Sequence, residues 1–423
     1  MMKCPLGILM LLVLWSLVAG CTSSPSIVTP STALPTETPV SPTPSLAPSA
    51  TPKPTYFVPA PQNVATPVTR QATPEPGLTG QIAVLLSSSL ALIDLKGGSP
   101  KFMGPRLPTY TQYSWAPDGS KLAYLLQADL WVLDVETQHS WNLSSTNDRW
   151  ELLPRWSPDG QRIAFTSRLL ELEEYGRTEI AMHGVFGGQL TVIGADGSDY
   201  QVLDKETILY TSSWSPDSRR LIYASSEGKL YIFDLKSGQR QPLSLADYGL
   251  QEDLYIYGAD WSPKGNEIAL SFSTRPKPED MSVEQGCAVL NLKNHTLKIL
   301  KRYNATLGLP YEGVPPGETL CCLGPDVLWS PSGNYILVNV KAMPRTQVPT
   351  GLSVIDAQGK REIRLTEKEW GAYSADWSPD GKWVVYIDNG DRSLWVINPF
   401  NPTEKYQIMG EFCCEGPVAW RPK

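Results

Sequence analysis

Seven times along the chain a Trp is followed two residues later by a Pro, at Trp115, Trp156, Trp214, Trp261, Trp329, Trp377 and Trp420. Most copies run into a turn, as in Trp156-Ser157-Pro158-Asp159-Gly160 and Trp377-Ser378-Pro379-Asp380-Gly381. A second signature alternates with it, a short apolar run ending in Asp or Asn. Examples are Trp131-Val132-Leu133-Asp134, Tyr231-Ile232-Phe233-Asp234 and Ser353-Val354-Ile355-Asp356. Self-similarity at a period of roughly 40–50 residues means a repeat architecture, in which neighbouring units bury one another's apolar faces.

Each repeat reads as four short strands. The first ends near the Trp. Pro-Asp-Gly turns the chain, because Pro pre-sets φ and Gly accepts positive φ. The second strand is β-branched or aromatic, as in Arg162-Ile163-Ala164-Phe165-Thr166. The third ends at the Asp, and a short fourth follows. Four strands with one Trp motif per unit predict an all-β, seven-bladed β-propeller. Gly80-Gln81-Ile82-Ala83-Val84-Leu85 reads as a second strand with no Trp strand before it, and Trp420 ends a first strand with no second strand after it. Pairing the N- and C-terminal strands is expected to complete one composite blade and remove two exposed sheet edges.

The WSPDG turn, apolar strand and strand-ending Asp resemble the TolB-type, or PD40 (WD40-like), β-propeller repeat over about residues 80–423. The resemblance implies a propeller that engages proteins in the bacterial cell envelope. Nothing in residues 1–79 matches the α/β domain that precedes the propeller in TolB. The hydrolase domain that follows similar propellers in prolyl-oligopeptidase-type peptidases is not expected either.

Met1-Met2-Lys3 is followed by an apolar stretch from Pro5 to Leu17, too short for a membrane span and suited to a signal h-region. Val18-Ala19-Gly20-Cys21 resembles the lipobox of bacterial lipoproteins, which implies lipidation of Cys21 and an extracytoplasmic, membrane-anchored location. The expected domains are a signal peptide over 1–20, a Pro/Thr/Ser-rich tether over 21–79 and the propeller over 80–423. The tether composition cannot bury enough apolar surface to offset chain entropy. With polyproline character it reaches on the order of 180 Å at about 3.1 Å per residue. The formal net charge is −7. Residues 1–79 hold three basic and two acidic side chains, so the remainder carries −7 − 1 = −8. No basic stripe marks a nucleic-acid surface.

Hairpin-connected strands put alternate turns on opposite faces of the ring. The Pro-Asp-Gly turns and the turns after the Asp share one face. The long insertions at 168–188, 246–254, 274–285, 302–325 and 342–350 share the other, so binding is expected there, since loops on a rigid scaffold carry function. Candidate aromatics for that face are Trp150, Tyr175, Tyr210, Tyr257, Tyr311, Trp370 and Tyr373. Tyr210, Tyr257 and Tyr373 each stand four residues before a motif Trp, which period two places on the same side as the Trp and near the tunnel mouth. Packing between blades is the alternative for these three, and the motif Trp residues themselves are expected between blades.

Besides Cys21, the mature chain holds Cys287, Cys321, Cys322, Cys413 and Cys414. An oxidising compartment permits disulfides. A bridge from Cys287 to Cys321 or Cys322 is the first expectation. The remaining three then form one bridge with a free thiol, or include a vicinal disulfide. The paired Cys lack the spacing of a zinc site, so no metal is expected. His139, His183 and His295 stand in no metal or nucleophile motif, and no GxSxG, P-loop or GxGxxG context is present. Asp196-Gly197-Ser198-Asp199 and Asp388-Asn389-Gly390-Asp391 read as turns in preference to Ca²⁺ loops. No cofactor or catalytic residue is assigned. The chain reads as a monomeric, non-catalytic binding module for an envelope protein or polymer. The alternatives are a glycan-active hydrolase or lyase and a small-ligand sensor.

Overall fold

The computed structural model describes residues 78–108, 111–146, 148–169, 188–207, 212–225, 228–250, 254–274, 282–306, 326–340, 351–366, 371–388, 390–410, 414 and 416–422. They form seven four-stranded antiparallel sheets. Numbered by their first strands, blades 1 to 6 begin with Tyr113–Trp115, Arg149–Trp156, Ser213–Trp214, Leu254–Trp261, Asp326–Trp329 and Ala372–Trp377. Blade 7 joins Val418–Trp420 to Gln81–Leu86, Ser89–Asp94 and Lys101–Arg106. Ile82 faces Trp420 and Val84 faces Val418 in that ladder, so the composite blade forms as expected.

The first strands are innermost and tie each blade to the next. Leu153 N–H donates to Gln112 Oε1 at 2.8 Å between blades 1 and 2. Trp214 Nε1 donates to the Arg155 carbonyl at 3.0 Å, and Trp377 Nε1 to the Leu328 carbonyl at 3.3 Å. Tyr113 Oη donates to the Pro417 carbonyl at 2.6 Å across the seam between blades 7 and 1. Each seam holds its own apolar cluster, and each cluster contains one motif Trp. All seven are 4–8% exposed. The second strands show why period two suits this fold: Val384 faces the seam with blade 5, and its neighbour Val385 the seam with blade 7.

The motif turns have a common chemistry. Ser157 Oγ donates to Asp159 Oδ1 at 2.6 Å and accepts from Arg162 N–H at 2.9 Å. Ser378 repeats this with Asp380 and Trp383. Gly160 and Gly381 take φ of +70° and +68°, as the turn requires. Ser218 stands at the same turn position with φ +57° and turns its hydroxyl to accept from Asp159 N–H of the neighbouring blade at 2.9 Å.

Strand order also sorts the connections. Those between first and second, and between third and fourth strands, are short turns on one face. The strand ends on the other face include those connected by residues 170–187, 244–253, 275–281, 307–325 and 341–350. The four of ten or more residues, 170–187, 244–253, 307–325 and 341–350, leave blades 2 to 5, and the eight-residue connection 410–417 leaves blade 6 at the same end. Blades 7 and 1 instead turn there through the tight hairpins Ser87-Ser88 and Gln127-Ala128, with φ between +47° and +68°.

Candidate functional site

The residue before each motif Trp alternates away from the seam core and faces the tunnel and the next blade. Around the ring these are Ser114, Arg155, Ser213, Asp260, Leu328, Asp376 and Ala419. Arg155 is exposed and the two Asp are half-buried. The three charged residues belong to blades 2, 4 and 6, and the Arg155 guanidinium acts electrostatically on both carboxyls. That reach runs across the tunnel, not along a seam.

Both carboxyls also bind the ring together. Asp260 Oδ2 accepts from Trp329 N–H at 2.8 Å, and its Oδ1 accepts from Ser213 Oγ at 3.1 Å, so one side chain links blades 3, 4 and 5. Asp376 Oδ2 accepts from Trp420 N–H at 2.8 Å, and its Oδ1 from its neighbour Trp377 N–H at 2.8 Å. Burial raises the Asp376 carboxyl to about 6 against the pull of the two backbone donors and Arg155, with Asp260 adding to the rise. Burial likewise raises Asp260, opposed first by Trp329 N–H, then by Ser213 and Arg155. Among the described residues Arg155 has no hydrogen-bond or ion-pair partner for its guanidinium. Its five N–H donors suit an anionic group entering the tunnel.

No sequence reading singled out this trio. The signal was present, because aligning the seven Trp motifs puts three charged residues at one register.

The candidate aromatics separate. Tyr210, Tyr175, Tyr311 and Trp370 lie outside the described residues. Trp150 sits half-buried at the start of the blade 2 inner strand, opposite Arg168, beside the root of connection 170–187. Tyr257 and Tyr373 correct the expectation for their side of the strand. Pairing jumps from Ile256↔Phe272 to Gly258↔Ser271, and from Ala372↔Asp388 to Ser374↔Ile387. Each Tyr is thus the extra residue of a β-bulge, which breaks the alternation between it and its Trp. Ile256 and Ala372 take the buried positions in their place. Tyr257 stacks on Tyr255 at 6.4 Å between ring centroids. Tyr373 packs at the seam of blades 6 and 7, with the Arg392 guanidinium 3.9 Å over its ring.

The expected Cys287 bridge is not formed. Cys287 is a free thiol, 1% exposed, in the cluster between blades 4 and 5 with Val289, Tyr303 and Trp329. The strand alternation aims it into the seam. Burial lifts its thiol to about 12, opposed by Lys301 and assisted by Glu362. Cys414 is disulfide-bonded. Cys21, Cys321, Cys322 and Cys413 lie outside the described residues. The two Asp-rich stretches are turns: Asp196 Oδ1 accepts from Ser198 N–H at 2.9 Å, and Asp388 Oδ1 from Gly390 N–H at 2.9 Å.

Comparison with known proteins adds the following. Residues 365–422, which cover blade 6 and the strand that closes blade 7, match the family described as SBD, the OAA-family lectin sugar binding domain. An uncharacterized Agrobacterium fabrum protein, Atu1656, is 26% identical over 200 residues, 43% of this chain and 61% of that protein. Dipeptidyl-peptidase 5 of Porphyromonas gingivalis is 23% identical over 185 residues, 38% of this chain and 26% of the peptidase. The chain thus spans less than two thirds of either curated relative. Among solved structures, TolB from Acinetobacter baumannii aligns with a TM-score of 0.45 at 18% identity, over 69% of this chain and 64% of that one. A putative TolB from Agrobacterium tumefaciens aligns with a TM-score of 0.42 at 14% identity, over 79% and 98%. The repeat and the seven four-stranded sheets, one of them closed by Val418–Trp420 on Gln81–Leu86, make this chain a seven-bladed β-propeller.

Proposed function

We propose that the protein is a lipid-anchored, extracytoplasmic binding propeller of a bacterial envelope. In this reading residues 1–20 are a signal peptide, Cys21 carries the lipid, and residues 21–79 tether a monomeric ring made by residues 80–423. The ring is a non-catalytic module that engages an envelope protein or polymer. One observation carries the reading: the connections of ten or more residues, 170–187, 244–253, 307–325 and 341–350, all join strand ends on the same face, and all of them rise from blades 2 to 5. Short turns elsewhere make a rigid scaffold, and binding residues concentrate where such a scaffold presents loops. The lectin match over residues 365–422 supports glycan among the polymers. The engagement of Asp260 and Asp376 with backbone N–H groups supports a structural role for these carboxyls over acid–base chemistry.

A second reading, a sensor for a small anionic ligand, is favoured by Arg155 in the tunnel. Capture from native bacterial envelopes with the full-length chain separates the readings. A single stoichiometric protein, or a retained polysaccharide, supports the binding module. Turnover of a glycan panel by the purified chain overturns it. Loss of membrane association on Cys21→Ser tests the anchor.

A further inference from the structure

Glu151, on the inner strand of blade 2, is 0% exposed. Its N–H donates to the carbonyl of Ala128, in the tight hairpin of blade 1, at 2.8 Å. Its Oε1 lies 3.0 Å from Thr146 Oγ1, and that hydroxyl lies 3.2 Å from Asp129 Oδ1. A hydroxyl has one hydrogen, so Thr146 cannot donate to both carboxyl groups. Asp129 is the better-provided acceptor. It also receives Thr146 N–H at 2.9 Å, Ser144 Oγ at 3.2 Å and Asn142 Nδ2 at 2.6 Å. Glu151 Oε2, by contrast, is buried and makes no well-formed hydrogen bond among the described residues, the Ser167 side chain being the other polar group that favours the charged carboxyl. A buried carboxylate in that state is costly, whereas a carboxylic acid is not. One added proton completes the chain: Glu151 donates to Thr146 Oγ1, and Thr146 donates to Asp129.

We propose that Glu151 is a proton-operated latch across the seam of blades 1 and 2, closed when its carboxyl is protonated and loosened when it ionises. The charged groups that act on it are Asp129 from the blade 1 hairpin and Arg149 from its own strand. Arg149 is held by Ser167, its Nε donating to Oγ at 2.5 Å and its Nη2 to the carbonyl at 3.0 Å. From the segment before the strand, Thr146 faces it, and from the second strand Ser167 does. Burial lifts the carboxyl from 4.5 to about 7, Ser167, Thr146 and Arg149 opposing and Asp129 assisting. Between those values the folded chain holds a proton that the unfolded chain has released. Stability therefore falls as pH rises through the window. The latch sits at the long-connection face, because Glu151 pairs with Ser167 and Arg149 with Leu169, where connection 170–187 begins.

The test compares the full-length chain with Glu151→Gln at about pH 5.5 and about pH 8.5. Gln keeps a donor for Thr146 and cannot ionise. Hydrogen exchange at Ser144, Thr146 and Glu151, corrected for intrinsic rates, is expected to speed up about tenfold or more at the higher pH in the wild type, the ratio for 1.4 kcal/mol, and to stay level in the variant. Equal responses in the two chains overturn the latch. If Glu151→Gln fails to fold, the side-chain carboxyl ¹³C titration of wild-type Glu151 decides alone. A midpoint near 7 supports the proposal, and one near 4.5 overturns it.

Discussion

Ile82 lies directly opposite Trp420 in an antiparallel ladder, so the blade that closes the ring is built from the two sequence extremes of the propeller. Trp420 is 4% exposed and packs with residues of blades 6 and 7. Trp420→Ala is expected to cost about 3–5 kcal/mol, the range for deleting a buried Trp side chain. Chemical denaturation measures it. A loss below about 1 kcal/mol, within the spread of ordinary surface changes, contradicts a load on this seam.

Asp376 uses both oxygens as acceptors, for Trp377 N–H and Trp420 N–H. Asn offers one acceptor and would aim an amide N–H at a backbone N–H. Asp376→Asn is therefore expected to lose about 1–3 kcal/mol despite near-identical shape. Equal stability of the two chains would show that the carboxylate does not bridge the blades.

Arg155 acts on Asp376 from across the tunnel, and it favours the charged carboxyl. Arg155→Ala should move the Asp376 midpoint above about 6. Because Arg155 is exposed, stability at neutral pH should change by no more than about 0.5 kcal/mol. The sign for pH follows from proton counting. Between 3.8 and about 6 the folded state retains the Asp376 proton, so this group's contribution declines as pH rises through that interval. The variant should extend the decline to higher pH. Carboxyl ¹³C titration reads the midpoint, and an unchanged value would place Arg155 out of reach.

Much of this architecture was legible in the repeats. Trp spacing marked the seven inner strands, and β-branched or aromatic runs such as Arg162-Ile163-Ala164-Phe165-Thr166 marked the second strands. The bulges at Tyr257 and Tyr373 were not legible. One extra residue in a strand leaves no mark on a Tyr-x-x-x-Trp spacing, yet it reverses the side on which the Tyr emerges. Glu151 was hidden for a related reason. A Glu in an inner strand reads as solvent-facing until the hairpin of blade 1 is seen to cover it.

Cys287 illustrates a different limit, since its neighbours in sequence say nothing of the seam it enters. With 1% exposure and a thiol raised to about 12, it should resist alkylation in the native chain and react once unfolded. Peptide mapping after native alkylation checks this. Recovery of Cys287 in a disulfide with Cys321 or Cys322 would contradict the packing of blades 4 and 5.

Ring closure is tested most directly at Ala83 and Ala419, which face each other in the same ladder as Ile82 and Trp420. Directly opposed strand positions lie about 4.5–5.5 Å apart at Cα, within disulfide reach. Full-length chain carrying Ala83→Cys and Ala419→Cys, oxidised gently while native, should yield a peptide in which these two positions are bridged. Recovery of both as separately alkylated thiols, with the fold intact by circular dichroism, would contradict a ring closed by these strands.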